Sequence, residues 1–424
     1  MQHDSNAASL RASLSNPVTR RTLLKGAAIA AVVGPLAGEL AAGCDVRSAE
    51  SEQSGVMKQS RRERAGAGLR GHNPDRASAG YTLFTPLNGT EAFLIDMEGE
   101  VEHSWELPYP PGLYGYLTPE GTLLYNAQLG VEAVNPFLGK VPFRGGALME
   151  FDWDGNLLLE LKHPDHHHDG IRLSNGNLLL LCLEPLEEDL AAAVVGGRAE
   201  PEWDGVMYAD YLVELTPQGE EVWRWNTWDH LDPEEDGIMA VQDSREEWTH
   251  GNAVSETSNG NLLVSLRNNS TVLMIDRQND EIGWKLGGPP LAQQHAPVEL
   301  DNGNVLIFDN GTHRLDHFLP HSKVVEVDPE TTEIVWASQD ANVVDFFSPL
   351  ISNAQRLPNG NTLICEGNSG RFFEVTAEGE VVWEYVSPYF HPSPQGPEGV
   401  VANNVFRCYR YSAEEVEMAR ANSD

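Results

Sequence analysis

Lysine is scarce in this chain of 424 residues: six of the 28 basic residues are Lys, against 64 Asp and Glu, for a formal net charge of −36. A nucleic-acid or anionic-membrane binder needs a basic face that displaces counterions, so so acidic a balance argues against both. Cysteine is nearly as rare, and four in the whole sequence do not make a disulfide scaffold. No Gly-x-x-x-x-Gly-Lys-[Ser/Thr] string occurs, which leaves phosphate-cradling nucleotide chemistry without support. The one dinucleotide-like string, Gly66-Ala67-Gly68-Leu69-Arg70-Gly71, has neither a preceding strand nor a following helix to give it that geometry. Long segments of 3.6-residue period are missing too. What is plentiful is aromatic and apolar: ten Trp, eleven Tyr and thirteen Phe within 41% hydrophobic residues, enough for a sizeable core. An acidic, lysine-poor surface fits a high-salt or extracytoplasmic setting.

Residues 1–44 read as an address. Arg20-Arg21 stands ahead of a short apolar run broken by Pro35 and Glu39, too weak for a membrane-crossing helix. The arginine pair resembles a twin-arginine export signal, and Ala41-Ala42-Gly43-Cys44 resembles a lipobox, whose cysteine receives a lipid anchor. A periplasmic or otherwise extracytoplasmic location follows from that reading. Residues 45–79, rich in Ser, Arg, Gly and Glu, read as a flexible linker.

From residue 80 the chain repeats. A turn is followed by a short apolar strand, then a strand of the type Val-x-Glu-Val-Asp, a Gly-Glu turn and a strand carrying Trp. The turns fall at Asn88-Gly89, Glu120-Gly121, Asn175-Gly176, Asn259-Gly260, Asn302-Gly303 and Asn359-Gly360. Asn-Gly suits tight hairpins because both residues tolerate positive φ. Short runs of β-formers between such turns predict an all-β fold, and six units of roughly four strands predict a six-bladed β-propeller over 80–412. Residues 403–411 are expected to add a strand that closes the ring. The tail, 413–424, is expected to form a short exposed helix.

The repeat gives a register for the strand ahead of each turn. Seven residues before it stand Tyr81, Leu113, His168, Asn252, His295 and Ser352. His167 adjoins one of these, and His250, two residues before Asn252, shares its side of a strand. Three consecutive blades would thus present imidazoles at one end of the channel. Arg267, ending the apolar strand after Asn259-Gly260-Asn261, calls for an anion or a carboxylate partner.

Trp248-Thr249-His250-Gly251-Asn252, Ser265-Leu266-Arg267 and Glu281-Ile282-Gly283-Trp284-Lys285-Leu286-Gly287-Gly288 resemble the signature stretch of the arylsulfotransferase family. Gln294-His295-Ala296 and His167-His168-Asp169 are similar to its flanking blades. The resemblance implies a propeller that moves a sulfuryl group from an aryl sulfate to a phenol through a sulfated histidine. It implies no cofactor, no phosphoadenosine phosphosulfate and no metal. Carried over by motif, His295 is the nucleophile, His250, Arg267 and His168 complete the catalytic set, and His167 and Asn252 bind substrate. The family's large members have a sizeable N-terminal β-domain, for which residues 45–79 have no room.

Two rival readings stand beside this one: a non-catalytic ligand-binding or scaffold propeller, and a metal enzyme using His163, His166, His167, His168 and Asp169. Acidity makes one prediction for the transferase. A field from a charge of −36 repels an anionic donor at long range. Turnover of an aryl sulfate should therefore rise with ionic strength as that field is screened; a steep fall on adding salt would contradict this.

Overall fold

The computed structural model describes residues 66–198, 205–393 and 399–422. The expected export signal, Cys44 and the linker up to residue 65 lie outside them. Six sheets form a six-bladed β-propeller, each blade an antiparallel meander stepping outward from the channel. Blades two to six begin with inner strands Pro111–Leu117, His166–Arg172, Gly251–Glu256, His295–Glu299 and Asn353–Arg356. Blade one is assembled from both ends of the chain. Its inner strand is Val405–Tyr411, which pairs antiparallel with Tyr81–Pro86 and closes the ring as the sequence suggested.

That closure corrects the register at one blade. Tyr81 is on the second strand and Asn88-Gly89 joins the second strand to the third, because the C-terminal strand supplies the channel-facing position. The expected linker is also shorter than 45–79. Gly68–His72 is a fifth strand on blade six, pairing with Val381–Val386, and the glycine-rich string is thereby part of a sheet. The C-terminal helix, Ala413–Ala421, opens with a Ser412–Glu415 capping box and is not wholly exposed: Val416 and Ala419 are buried. Ala419 Cα would lie 2.6 Å from a Cβ on Gly121, so that turn needs glycine both for contact and for its φ of +83°.

The repeated motifs turn out to be devices that join blades. Asparagine serves the turns through its side chain and not through positive φ. Asn88 alone among the turn asparagines is left-handed, at 67°, whereas Gly176, Gly260, Gly303 and Gly360 carry the positive φ, at 83–88°. The Asn175 and Asn177 amides donate to Glu214 Oε1 at 2.9 and 2.6 Å, and Arg277 of blade four pairs with the same carboxylate. Asn302, Asn304 and Arg356 do likewise at Glu326. The recurrent Glu of the third strand is therefore an inter-blade clamp. Fourth-strand tryptophans form the outer counterpart: the indole N–H groups of Trp105, Trp225 and Trp383 donate to carbonyls of Asp152, Asp280 and Met97 in the next blade.

Glu374 has no exposed surface and accepts from Ser78 N and Asn361 Nδ2, each at 2.7 Å, while Arg410 of the closing strand lies 3.5 Å away. Removing one member of a buried pair strands the other charge, at a cost of about 3–5 kcal/mol. Glu374→Ala should lower the urea midpoint accordingly with an unchanged denaturant slope, and an unaltered midpoint would show that the clamp contributes nothing.

Candidate active site

The inner strands bound two cavities at opposite ends of the channel. The larger, about 910 Å³, is lined by the C-terminal halves of these strands, with Arg172, Glu256, Glu326, Arg356 and Arg410 among its walls. The smaller, about 350 Å³, is lined by Leu113, His168, His250, His295, Ile351 and Phe406, one residue from each blade, together with Phe143 and Arg267. Between them Arg407, fully buried, pairs with Asp169 at 2.9 Å while Tyr114 donates to the same carboxylate.

Irregular backbone brings the imidazoles in. His168 and His250 are left-handed, with φ of 48° and 47°, and Leu113 and Ile351 also have positive φ. Inner-strand pairings slip beside these positions, between Leu180 and Cys182 and between Gly251 and Ala253. Such residues cost about 1–3 kcal/mol each and persist where packing holds them. Here the ring faces do so: His168 stacks on Phe143 at 4.6 Å, His250 meets Phe143 edge-on at 4.7 Å, and the two imidazoles lie 4.8 Å apart. Phe406 sits 6.3 Å from His168 and 6.0 Å from His295.

Each imidazole is held through Nδ1. Asn310 donates both amide hydrogens, to Ser348 O at 2.8 Å and Ile351 O at 2.9 Å. That fixes its Oδ1 toward His295 Nδ1, 2.8 Å away, which must then carry the hydrogen. Glu247 accepts from His250 Nδ1 at 2.9 Å. His168 Nδ1 lies 2.7 Å from His167 Nδ1, and His167 Nε2 lies 2.8 Å from Asp210 Oδ1. Burial would raise the Asp210 carboxyl, but His167, Thr249 and the Gly251 N–H hold it below the usual carboxylate range. His167 Nε2 faces the ionised Asp210 as a close contact without the alignment of a hydrogen bond; with the hydrogen on that nitrogen, His167 Nδ1 is left as an acceptor and His168 donates to it. All three cavity imidazoles thus keep Nε2 for a ligand.

Electrostatics favour neutral rings at His168 and His295. His168 is pushed well below 6.5 by burial, then by His250, His167, His295 and Arg267. Burial likewise lowers His295 well below 6.5, with Asn310 opposing and Arg267 and Arg407 adding to the fall. Arg267 is tied through one nitrogen to Asn268 Oδ1 at 3.0 Å and Asp243 Oδ1 at 3.4 Å, and its buried Nε has no hydrogen-bond partner. Among the described lining residues it is the sole charged group, and none is an acid.

The structure therefore unites His168, His250, His295 and Arg267. It does not bring His167 or Asn252 to the cavity. His167 is wholly buried behind His168, and Asn252 donates to Gln294 O at 2.8 Å, anchoring the segment before His295. The other histidine-run side chains part company: His166 Nδ1 accepts from Gly146 N at 3.3 Å, His163 faces Cys182 and Asp169 pairs with Arg407. Among the described residues no group of three or more His, Cys, Asp or Glu side chains is arranged to hold a metal ion. Sequence reasoning missed Asn310, Glu247, Asp210, Phe143, Phe406 and Arg407. The lone Arg in the apolar run Val405-Phe406-Arg407-Cys408 was the one available signal.

The model of the arylsulfotransferase (ASST) family matches residues 138–388, which span the imidazole cluster and Arg267. The chain belongs to the arylsulfotransferase family. No curated protein matches it. Among solved structures, a protein of unknown function from Bacteroides caccae is similar at 16% identity and a TM-score of 0.48, over 78% of this chain and 98% of that one. Virginiamycin B lyase from Staphylococcus aureus is similar at 10% identity and 0.38, over 65% and 69%. The hydrazine synthase of Kuenenia stuttgartiensis is similar at 11% and 0.42, over 68% and 71%. Likenesses this distant carry no functional argument.

The buried histidines of this arylsulfotransferase-family chain make a prediction about acid. His166 is held by burial down to about 3, and His168 and His295 are lowered too. Unfolded histidines titrate near about 6.5, so below that pH the unfolded chain takes up protons that the folded chain refuses. Stability is complete above about pH 6.5 and declines as pH falls toward the folded values. Urea midpoints should drop between about pH 6.5 and 5, before carboxylates titrate; a flat profile there would contradict neutral burial.

Proposed function

We propose that the protein transfers a sulfuryl group from an aryl sulfate to a phenolic acceptor through a sulfated His295, without phosphoadenosine phosphosulfate. The observation that carries this is the convergence of three Nδ1-anchored imidazoles and Arg267 on one cavity. His295 Nε2 attacks sulfur, the N–S bond forms, and the S–O bond to the aryl group breaks, with its electron pair leaving on the phenolate. A phenol oxygen then attacks the same sulfur, the S–N bond breaks, and the imidazole recovers its lone pair. Splitting the transfer in this way replaces one difficult step by two easier ones.

The walls divide the labour. Phe143, Phe406, Leu113 and Ile351 offer an apolar face for an aryl ring, and Arg267 offers N–H donors to the sulfuryl oxygens. Fixed donors aimed at charge in a water-poor site act chiefly on the transition state. The lowered basicity of His295 keeps it unprotonated and nucleophilic at neutral and mildly acid pH. The twin-arginine-like segment supports the further proposal that this chemistry occurs outside the cytoplasm, tested by locating the protein in cell fractions.

Brief exposure to 4-nitrophenyl sulfate, followed by intact-mass measurement, should reveal one added sulfuryl group that an acceptor phenol removes. His295→Ala should abolish both the adduct and acceptor-dependent release of 4-nitrophenol. Arg267→Ala should slow release by about 10²–10³. A wild-type protein that gains no sulfuryl group from any aryl sulfate and releases no phenol would instead be a ligand-binding propeller.

A further inference from the structure

Adjacent residues of a regular strand point to opposite faces, so neighbouring imidazoles should not touch. His167 and His168 do, with their Nδ1 atoms 2.7 Å apart, because His168 is left-handed. Behind them His167 Nε2 meets Asp210 at 2.8 Å. Asp210 is held from the other side: the Thr249 hydroxyl and the Gly251 N–H, the latter at 2.6 Å, donate to its second oxygen. Those two residues flank His250, so the carboxylate ties together the segments that carry two of the cavity imidazoles. The row Asp210–His167–His168 is buried throughout and reaches the cavity only at His168 Nε2.

We propose that Asp210 and His167 are positioning residues that form a proton relay behind His168, and that His168 Nε2 exchanges the proton with the phenol oxygens. This rests on the sulfuryl-transfer reading. When the acceptor phenol attacks sulfur, its proton passes to His168 Nε2. The His168 Nδ1 proton moves to His167 Nδ1, and the positive charge comes to rest on His167, against the Asp210 carboxylate. The donor half-reaction starts from that protonated relay, which the free enzyme has loaded with one proton from solvent before its first turnover, and the movements reverse: His168 Nε2 gives its proton to the departing phenolate and regains one at Nδ1 from His167. One proton is lent and one returned per turnover, so no co-reactant is required. The cation is kept one ring away from Arg267, which would otherwise oppose it.

A relay matters most when the leaving phenolate is strongly basic, and this separates it from a merely structural role. The test compares kcat/KM for phenyl sulfate and 4-nitrophenyl sulfate in wild type, Asp210→Asn and His167→Gln. A greater loss, by at least about 10-fold, for phenyl sulfate than for the nitrophenyl ester in both variants supports the relay. Equal losses for the two donors, or none, would overturn it and leave sulfuryl transfer standing. Absence of transfer in the wild type would overturn both. His167→Gln leaves Asp210 its contacts with Thr249 and Gly251, so the comparison survives if Asp210→Asn fails to fold.

Discussion

The pairing of Val405–Tyr411 with Tyr81–Pro86 is the constraint on which the site depends. It joins the two ends of the propeller into one blade and forces six inner strands to share an axis. Without it the channel would have no closed wall, and residues far apart in sequence would have no reason to meet. The closing strand also supplies contents. Phe406 faces the imidazole cavity, while Arg407 lines the larger one and seals the space between through Asp169. Inter-blade clamps at Glu214, Glu326 and Glu374 hold the ring so formed, each neutralising a cation from the next sector.

A closed ring places backbones within reach of one another but does not orient side chains. Orientation comes from left-handed residues where the inner strands start. Regular strands would send alternate side chains into the blade interfaces. Left-handed turns at His168 and His250 override that alternation, and the strain is borne by stacking on Phe143. Anchoring of Nδ1 by Asn310, Glu247 and His167 then leaves each ring one usable nitrogen. Fold closure, local strain and tautomer are successive constraints, each useless without the one before.

Much of this could be read from sequence, for physical reasons that also mark its limits. Strands and turns were legible because hairpin chemistry is local. His168, His250, His295 and Arg267 stood out because imidazoles and a guanidinium are odd residues at matching places in an apolar repeat. Blade one was misframed because its inner strand comes from the other end of the chain, beyond the reach of a local register. His167 and Asn252 were assigned to substrate by motif resemblance, which carries no side-chain direction, and the left-handed residues beside them, His168 and His250, set that direction. Asn was credited with backbone freedom when its amide was the working part. Asp210 and Glu247 gave no signal at all: in a chain with 64 acids, a carboxylate is unremarkable until its partner is seen.

Those acids also resolve how so negative a protein can present a site suited to an anion. No described residue lining the cavity is an acid, and Arg267 is its charged member. Asp210, Glu247 and Asp243 stand immediately behind, where they face His167, His250 and Arg267. A carboxylate in that position does not repel a ligand at contact, because its charge is spent on the N–H it receives. Instead it turns a rotatable donor into a fixed one. The apolar walls complete the effect by excluding water, since a fixed dipole or cation acts more strongly in a poorly screened space. The acidic surface sets the long-range field, whereas the few acids behind the cavity set its geometry. The two roles do not conflict because the channel wall separates them.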